Sequence, residues 1–317
     1  MTSQYCDPFM SFVKHKSSVD MDNVIFHLPT VLLQIVYLYS KTFEGREILR
    51  WGPNGKGERD FNPMGPCLFC GSNDTLYVAD SWNDRIQLFD FRGQFLGKFG
   101  TAGSGNGEFY MPTSLTVDED GMIYVADCKN HRIQVFRSDH TYVRQWGRKG
   151  TLKGQFDSPM KIALRHSTLY ITDFNNNRVQ LFNTQGSVLT TWGDQGATPC
   201  QFLQTFDLEF DDEDRCYVTE YTGHYPPFSR IQVFETGKHM GEYEVDCTHS
   251  CMARGPDGLL YASNKSGVSV IQYTLQEGFD CVSRFPTNTH GHPALGMSFD
   301  REGRLFIAYR SSISVWS

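Results

Sequence analysis

Short apolar stretches alternate with polar turns along most of the chain, and none carries the helical spacing of 10–15 residues that a βαβ unit would need. Residues 109–146 show the pattern. FYMPTSLTV, from Phe109 to Val117, reads as a first strand. Met122 to Ala126 reads as a second, after the turn Asp118-Glu119-Asp120-Gly121. RIQVFR, from Arg132 to Arg137, alternates and reads as a third, and Thr141 to Trp146 closes the unit before Gly147. Four short strands separated by Gly and Asp turns are the size of one propeller blade.

The unit repeats. LYVADSWNDRIQLF starts at Leu76, IYVADCKNHRIQVF at Ile123 and LYITDFNNNRVQLF at Leu169, with weaker copies at Cys216, Leu260 and Leu305. The aromatic second residues are Tyr77, Tyr124, Tyr170, Tyr217, Tyr261 and Phe306, at intervals of 47, 46, 47, 44 and 45. One four-stranded blade cannot bury both of its faces, whereas blades arranged around an axis bury one another. Ile86/Leu88, Ile133/Val135, Val179/Leu181 and Ile231/Val233 supply the repeated apolar pairs, and Phe89, Phe136, Phe182 and Phe234 recur beside Gln87, Gln134, Gln180 and Gln232. These positions predict an all-β fold, a six-bladed propeller of four-stranded antiparallel blades.

The sixth copy stops at Ser317 without a fourth strand. REILRWG, from Arg46 to Gly52, matches the unit endings Trp146-Gly147 and Trp192-Gly193. The N-terminal strand 46–51 is therefore expected to complete the last blade and remove an exposed edge. Residues 10–52 read as a degenerate full blade would give seven; six is preferred. The propeller is assigned to 42–317, and 1–41 to an N-terminal extension, partly ordered or adding strands. Val24 to Tyr39 is apolar for 16 residues, short of a membrane span, and follows Asp20 and Asp22. No membrane association is expected.

From Gly107 to Phe136, GEFYMP…LTVDEDGMIYVADCKNHRIQVF resembles an NHL repeat, as do Gly154 to Phe182 and Phe61 to Phe89. The first three units carry D-x-x-N-x-R in full: Asp80/Asn83/Arg85, Asp127/Asn130/Arg132 and Asp173/Asn176/Arg178. The fourth has Glu220 for Asp and inserts residues before Arg230. The motif has a local role: Asp and Asn cap a tight turn, and Arg returns to the carboxylate or reaches a neighbouring blade. The resemblance extends to the propellers of tripartite-motif NHL proteins, which implies a binding module, in some relatives one for single-stranded RNA.

Composition narrows the partner. Lys and Arg number 29 against 36 Asp and Glu, a net charge of −7, which argues against a general nucleic-acid coat. The loops between blades and those between second and third strands share one face, and their charges sum to +2. Positive residues gather there near blades 2 and 3: Lys129, His131, Arg148, Lys149 and Lys153. They are the candidate RNA contacts, with Trp82 and Phe174 as stacking residues, while Arg132 is expected to be spent on Asp127. The insertion YTGHYPPFS, from Tyr221 to Ser229, offers Tyr221, His224, Tyr225 and Phe228; with Trp82 these are the candidate protein-partner contacts. The opposing expectation is that the insertion folds back as a cover for its blade.

Catalysis has less support. His224, His249, His290 and His292, with Cys247 and Cys251, could attract a metal as in the peptide-amidating lyase that some NHL propellers resemble, but their spacing matches no ligand motif. No metal, cofactor or catalytic residue is assigned. Cys67-x-x-Cys70 places two thiols on opposite strand faces, unsuited to chelation. GTAGSGNG, from Gly100 to Gly107, lacks the Lys-Ser/Thr ending of a phosphate loop and reads as a blade connection. Nine cysteines without a regular framework fit reduced thiols and a cytoplasmic location. The preferred reading is a non-enzymatic scaffold that recognises a protein, with RNA as the alternative.

Overall fold

The computed structural model describes residues 46–51, 57, 60, 62–63, 67–71, 73–221, 229–245, 251–264, 267–274, 278–286, 294–309 and 312–317. All belong to one compact unit, Glu44–Ser317. The extension 1–41 lies outside the described residues.

Six four-stranded antiparallel sheets follow one another. Blade 1 comprises Leu68–Cys70, Thr75–Asp80, Arg85–Asp90 and Phe95–Phe99. Blade 2 comprises Pro112–Val117, Ile123–Asp127, Arg132–Phe136 and Tyr142–Trp146, and blade 3 Pro159–Arg165, Thr168–Asp173, Arg178–Asn183 and Val188–Trp192. Blade 4 is Thr205–Phe210, Cys216–Tyr221, Ser229–Glu235 and Lys238–Val245, and blade 5 Met252–Arg254, Leu260–Asn264, Gly267–Thr274 and Gly278–Pro286. Blade 6 takes Gly296–Phe299, Leu305–Ala308 and Ile313–Trp316 from the C-terminal end and Glu47–Trp51 from the N-terminal end. The first strands of the blades touch in sequence around a ring, and the first strand of blade 1 closes it against that of blade 6.

The joining strand is in the expected register: Leu49 faces Val315 and Trp51 faces Ile313. Backbone bonds between Arg46 and Ser317 run in both directions at 3.1 and 3.2 Å. The repeated apolar residues fill the seams between blades. Tyr124, Ile133, Val135, Phe156, Ile171 and Phe182 bury the blade 2–3 seam, and Val179, Phe202, Leu208, Val218 and Phe234 the next. Each large apolar side chain removed from water contributes about 1.5–3 kcal/mol.

The Gly that follows each unit-ending aromatic has a steric cause. Gly100, Gly147 and Gly193 lie at φ of 85°, 95° and 96°, and a Cβ there would strike Phe109, Phe156 and Phe202. One boundary differs from expectation. Phe109 is not part of the first strand of blade 2; Glu108–Phe109 pairs in parallel with Thr101–Ala102. Met111, at φ 55°, breaks the chain before Pro112 begins the strand. GTAGSGNG is the connection from blade 1 to blade 2.

Candidate functional site

Because each first strand is antiparallel to its second, the inter-blade loops and the second-to-third-strand turns emerge on one side, here termed the entrance face. The repeat motif builds this face. Asp127, with no exposed surface, accepts from Arg132 Nε at 2.7 Å, Asn130 Nδ2 at 2.9 Å, Gln134 Nε2 at 3.1 Å and the Tyr110 backbone amide at 2.8 Å. Asp80 and Asp173 repeat the arrangement with Arg85 at 2.7 Å and Arg178 at 2.8 Å. In blade 4 Glu220 takes the role, accepting from Arg230 at 2.7 Å. Burial pushes the carboxyls of Asp127, Asp173 and Glu220 above their ordinary range despite these donors.

The rest of each guanidinium reaches the loop that enters its blade. Arg132 donates to the carbonyls of Ser104, Gly105 and Glu108 at 2.7–2.8 Å. Arg178 does the same with Thr151, Leu152 and Gln155. The expected structural role of the motif is met, and Arg132 is consumed by it.

Two further members of the network were not read from the sequence. The repeated glutamine bonds the motif carboxylate and an entrance-loop carbonyl: Gln134 to Glu108 and Gln180 to Gln155, both at 2.6 Å. The residue after the motif Asn forms an inter-blade latch. Asp84, His131 and Asn177 have φ of 53–55°, and their side chains accept from the amides of Met111, Ser158 and Gln204 in the next blade at 2.8, 3.1 and 2.8 Å.

This framework displays apolar side chains. Trp82 is 55%, Tyr110 54% and Leu152 67% exposed. Their backbones are held: the Trp82 amide donates to the Asn62 carbonyl, the Tyr110 amide to Asp127, and the Leu152 carbonyl accepts from Arg178. Lys129 adjoins Tyr110 through its amide, which donates to the Tyr110 carbonyl at 3.0 Å. Trp82 was named from the sequence; Tyr110 and Leu152 were not.

Lys129, Arg148, Lys149 and Lys153 are exposed on the same face and form no ion pair among the described residues. His131 is less available. Its Nδ1 is committed to the Ser158 amide, and burial holds the imidazole below its ordinary pKa, against the pull of Asp157. Phe174 is half-buried beside Cys128, Met160 and Phe206. Tyr221 ends a strand, half-buried, its amide donating to the Gln204 carbonyl. His224, Tyr225 and Phe228 lie outside the described residues.

His249, His290, His292 and Cys247 also lie outside the described residues. Cys251 is buried, its Sγ 3.4 Å from Ser263 Oγ. Among the described residues no group of three or more His, Cys, Asp or Glu is arranged to hold a metal. Cys67 and Cys70 are free thiols, both pushed upward by burial, Cys70 to about 12.

The axis offers a second set of polar groups. Lys161 in blade 3 pairs with Asp207 in blade 4 at 3.0 Å, and Asp207 Oδ2 accepts the Met252 amide of blade 5 at 2.8 Å. Burial alone would lower the Lys161 pKa, but Asp207 and Glu209 hold it above its ordinary value. Three successive blades are thereby joined at the centre.

Six blades closed by the N-terminal strand, with motif-encoded Asp–Arg pairs anchoring the entrance loops, define the class as a β-propeller. Residues 109–136 match the NHL repeat, so the chain is a β-propeller that carries an NHL repeat. No curated protein matches the sequence. Solved structures do. A streptogramin B lyase is 13% identical with a TM-score of 0.62, over 85% of this chain and 97% of that one. A gluconolactonase from Xanthomonas campestris is 15% identical with a TM-score of 0.60, over 86% and 99%. A chain of the mitotic checkpoint complex is 12% identical with a TM-score of 0.59, over 87% and 93%. At these identities the likeness is one of fold, and the neighbours' functions are mixed. No helix among the described residues is long and apolar enough to cross a membrane.

Proposed function

We propose that the propeller, residues 42–317, is a binding platform rather than a catalyst, and that it recognises a protein partner through the entrance face. The supporting observation is the set of Trp82, Tyr110 and Leu152, exposed side chains on backbones that the buried network holds in place. Fixed aromatic anchors lose little conformational freedom on binding and dominate interface energies. The motif charges are consumed in holding the loops, so the residues around them are what a partner meets. Tyr221, His224, Tyr225 and Phe228 belong to the same proposal as a flanking contact on blade 4. A cytoplasmic placement is part of the same reading and rests on nine cysteines that form no regular framework in the sequence.

Single-stranded RNA is the second reading, favoured by Lys129, Arg148, Lys149 and Lys153, which form no ion pair among the described residues, beside exposed aromatics. Affinity purification with the wild type and a Trp82→Ser/Tyr110→Ser/Leu152→Ser variant separates the two. Proteins that survive ribonuclease with the wild type and are lost with the variant, its melting temperature unchanged, support the first reading. An unaltered set of proteins on the variant refutes it. Binding of single-stranded RNA that weakens steeply with salt and requires the four cations would establish the second.

A further inference from the structure

The first strands of all six blades enclose an axial channel of about 360 Å³, within the size range of small-molecule sites. It opens towards the side opposite the entrance face, where Asp118, Pro256 and Arg301 of the first-to-second-strand turns form its mouth. Its charges come from separate blades and are mostly matched. Lys161 pairs with Asp207 at 3.0 Å, Arg165 with Asp214 at 2.5 Å and Arg254 with Asp212 at 2.5 Å.

Two groups are left over. Glu209 lines the channel, and one of its oxygens accepts only the neighbouring Phe210 amide at 3.1 Å. Its other oxygen has no partner among the described residues. Arg254 also lines the channel, and its Nη1 is buried without a hydrogen bond among the described residues. A charged donor set left without a full complement of acceptors favours an occupant that supplies one.

The nature of the occupant follows from these two groups. Lys161 and Asp207 cancel each other, so a simple cation would satisfy Glu209 and leave Arg254 without an acceptor, and a simple anion would satisfy Arg254 and leave Glu209 without a donor. A molecule with both charges satisfies both. The channel also has apolar wall from Phe69, Phe210, Met297 and Phe299. We propose that the axial channel binds a small zwitterion of the apolar amino-acid type, its ammonium on Glu209, its carboxylate on Arg254 and its side chain against the phenylalanines. The site is separate from the entrance face and does not depend on how that face is used.

Isothermal titration calorimetry of the full chain tests this with L-leucine and L-phenylalanine. 3-Methylbutylamine and 4-methylpentanoate serve as leucine analogues lacking the carboxylate and the ammonium. The expected result is one-to-one binding of at least one amino acid. Each half-analogue of leucine, and each of Glu209→Gln and Arg254→Met, should bind at least about tenfold more weakly, the loss of one charge-assisted hydrogen bond. Glu209→Gln conserves shape and decides the matter if Arg254→Met does not fold. The proposal is overturned if neither amino acid binds, if a half-analogue binds as well as leucine, or if folded Glu209→Gln binds with unchanged affinity.

Discussion

Asp127 carries a charge with no surface of its own in water, and four donors from three parts of blade 2 converge on it. Removing it leaves Arg132 almost fully buried without its counter-charge, and strands the Tyr110 amide and the Asn130 and Gln134 side-chain amides. Breaking one side of a buried pair costs about 3–5 kcal/mol. Asp127→Ala is therefore expected to lose about that much in denaturant unfolding. A loss below about 1 kcal/mol would show that the network does not hold the blade. The motif D-x-x-N-x-R was legible because the same residue types recur at one spacing. Gln134 and its equivalents were equally periodic, but alternation placed them among core residues and hid their polar task. Tyr110 was missed because the alternating run from Phe109 to Val117 reads as one strand, and only Met111 in the left-handed region interrupts it.

Between elements, one job is done by three different residues. Asp84, His131 and Asn177 each hold the left-handed turn and accept an amide from the next blade. No identity pattern reveals them; what they share is an acceptor atom and tolerance of positive φ. The histidine makes the blade 2–3 latch sensitive to acid, since Nδ1 accepts only while unprotonated. Its folded pKa lies below the ordinary 6.5, with burial the leading cause. The unfolded chain therefore binds the proton first. The contribution to stability is complete above about pH 6.5 and is lost as the pH falls through the depressed folded value. His140 and His239 are depressed by burial as well and act in the same direction. His131→Asn installs the residue found in the blade 3 latch and removes one titration. Its melting temperature should fall less than the wild type's between pH 7.5 and 5.5, and equal falls would show that this latch does not titrate. The axial groups were beyond sequence reading for a related reason. Lys161, Glu209 and Arg254 stand on successive blades, some 45 residues apart, and only ring closure brings them to one channel.

For the whole molecule, everything depends on the ring staying shut, and one short strand closes it. Glu47–Trp51 supplies the outer strand of blade 6, and Trp51 seals the seam to blade 1 between Phe306, with ring centroids 6.2 Å apart, and Phe89, at 6.4 Å. Gly93 makes room for the indole, since a Cβ there would lie 2.6 Å from Trp51. Without this strand, Ile313–Trp316 becomes an unpaired edge rich in β-branched and aromatic residues, a template for association with other chains. Trp51→Ala keeps the backbone pairing but empties the seam, a loss of about 3–5 kcal/mol for a well-packed aromatic. A chain beginning at Gly52 loses both the seam and the pairing. Its melting temperature should fall further than that of Trp51→Ala, and light scattering should show self-association that grows with protein concentration. Adding a peptide of residues 46–51 should reverse both effects, because it restores the same register opposite Val315 and Ile313. If the shortened chain stays monomeric and melts with the intact protein, the ring holds without its latch, and the pairing of the two chain ends has no part in stability.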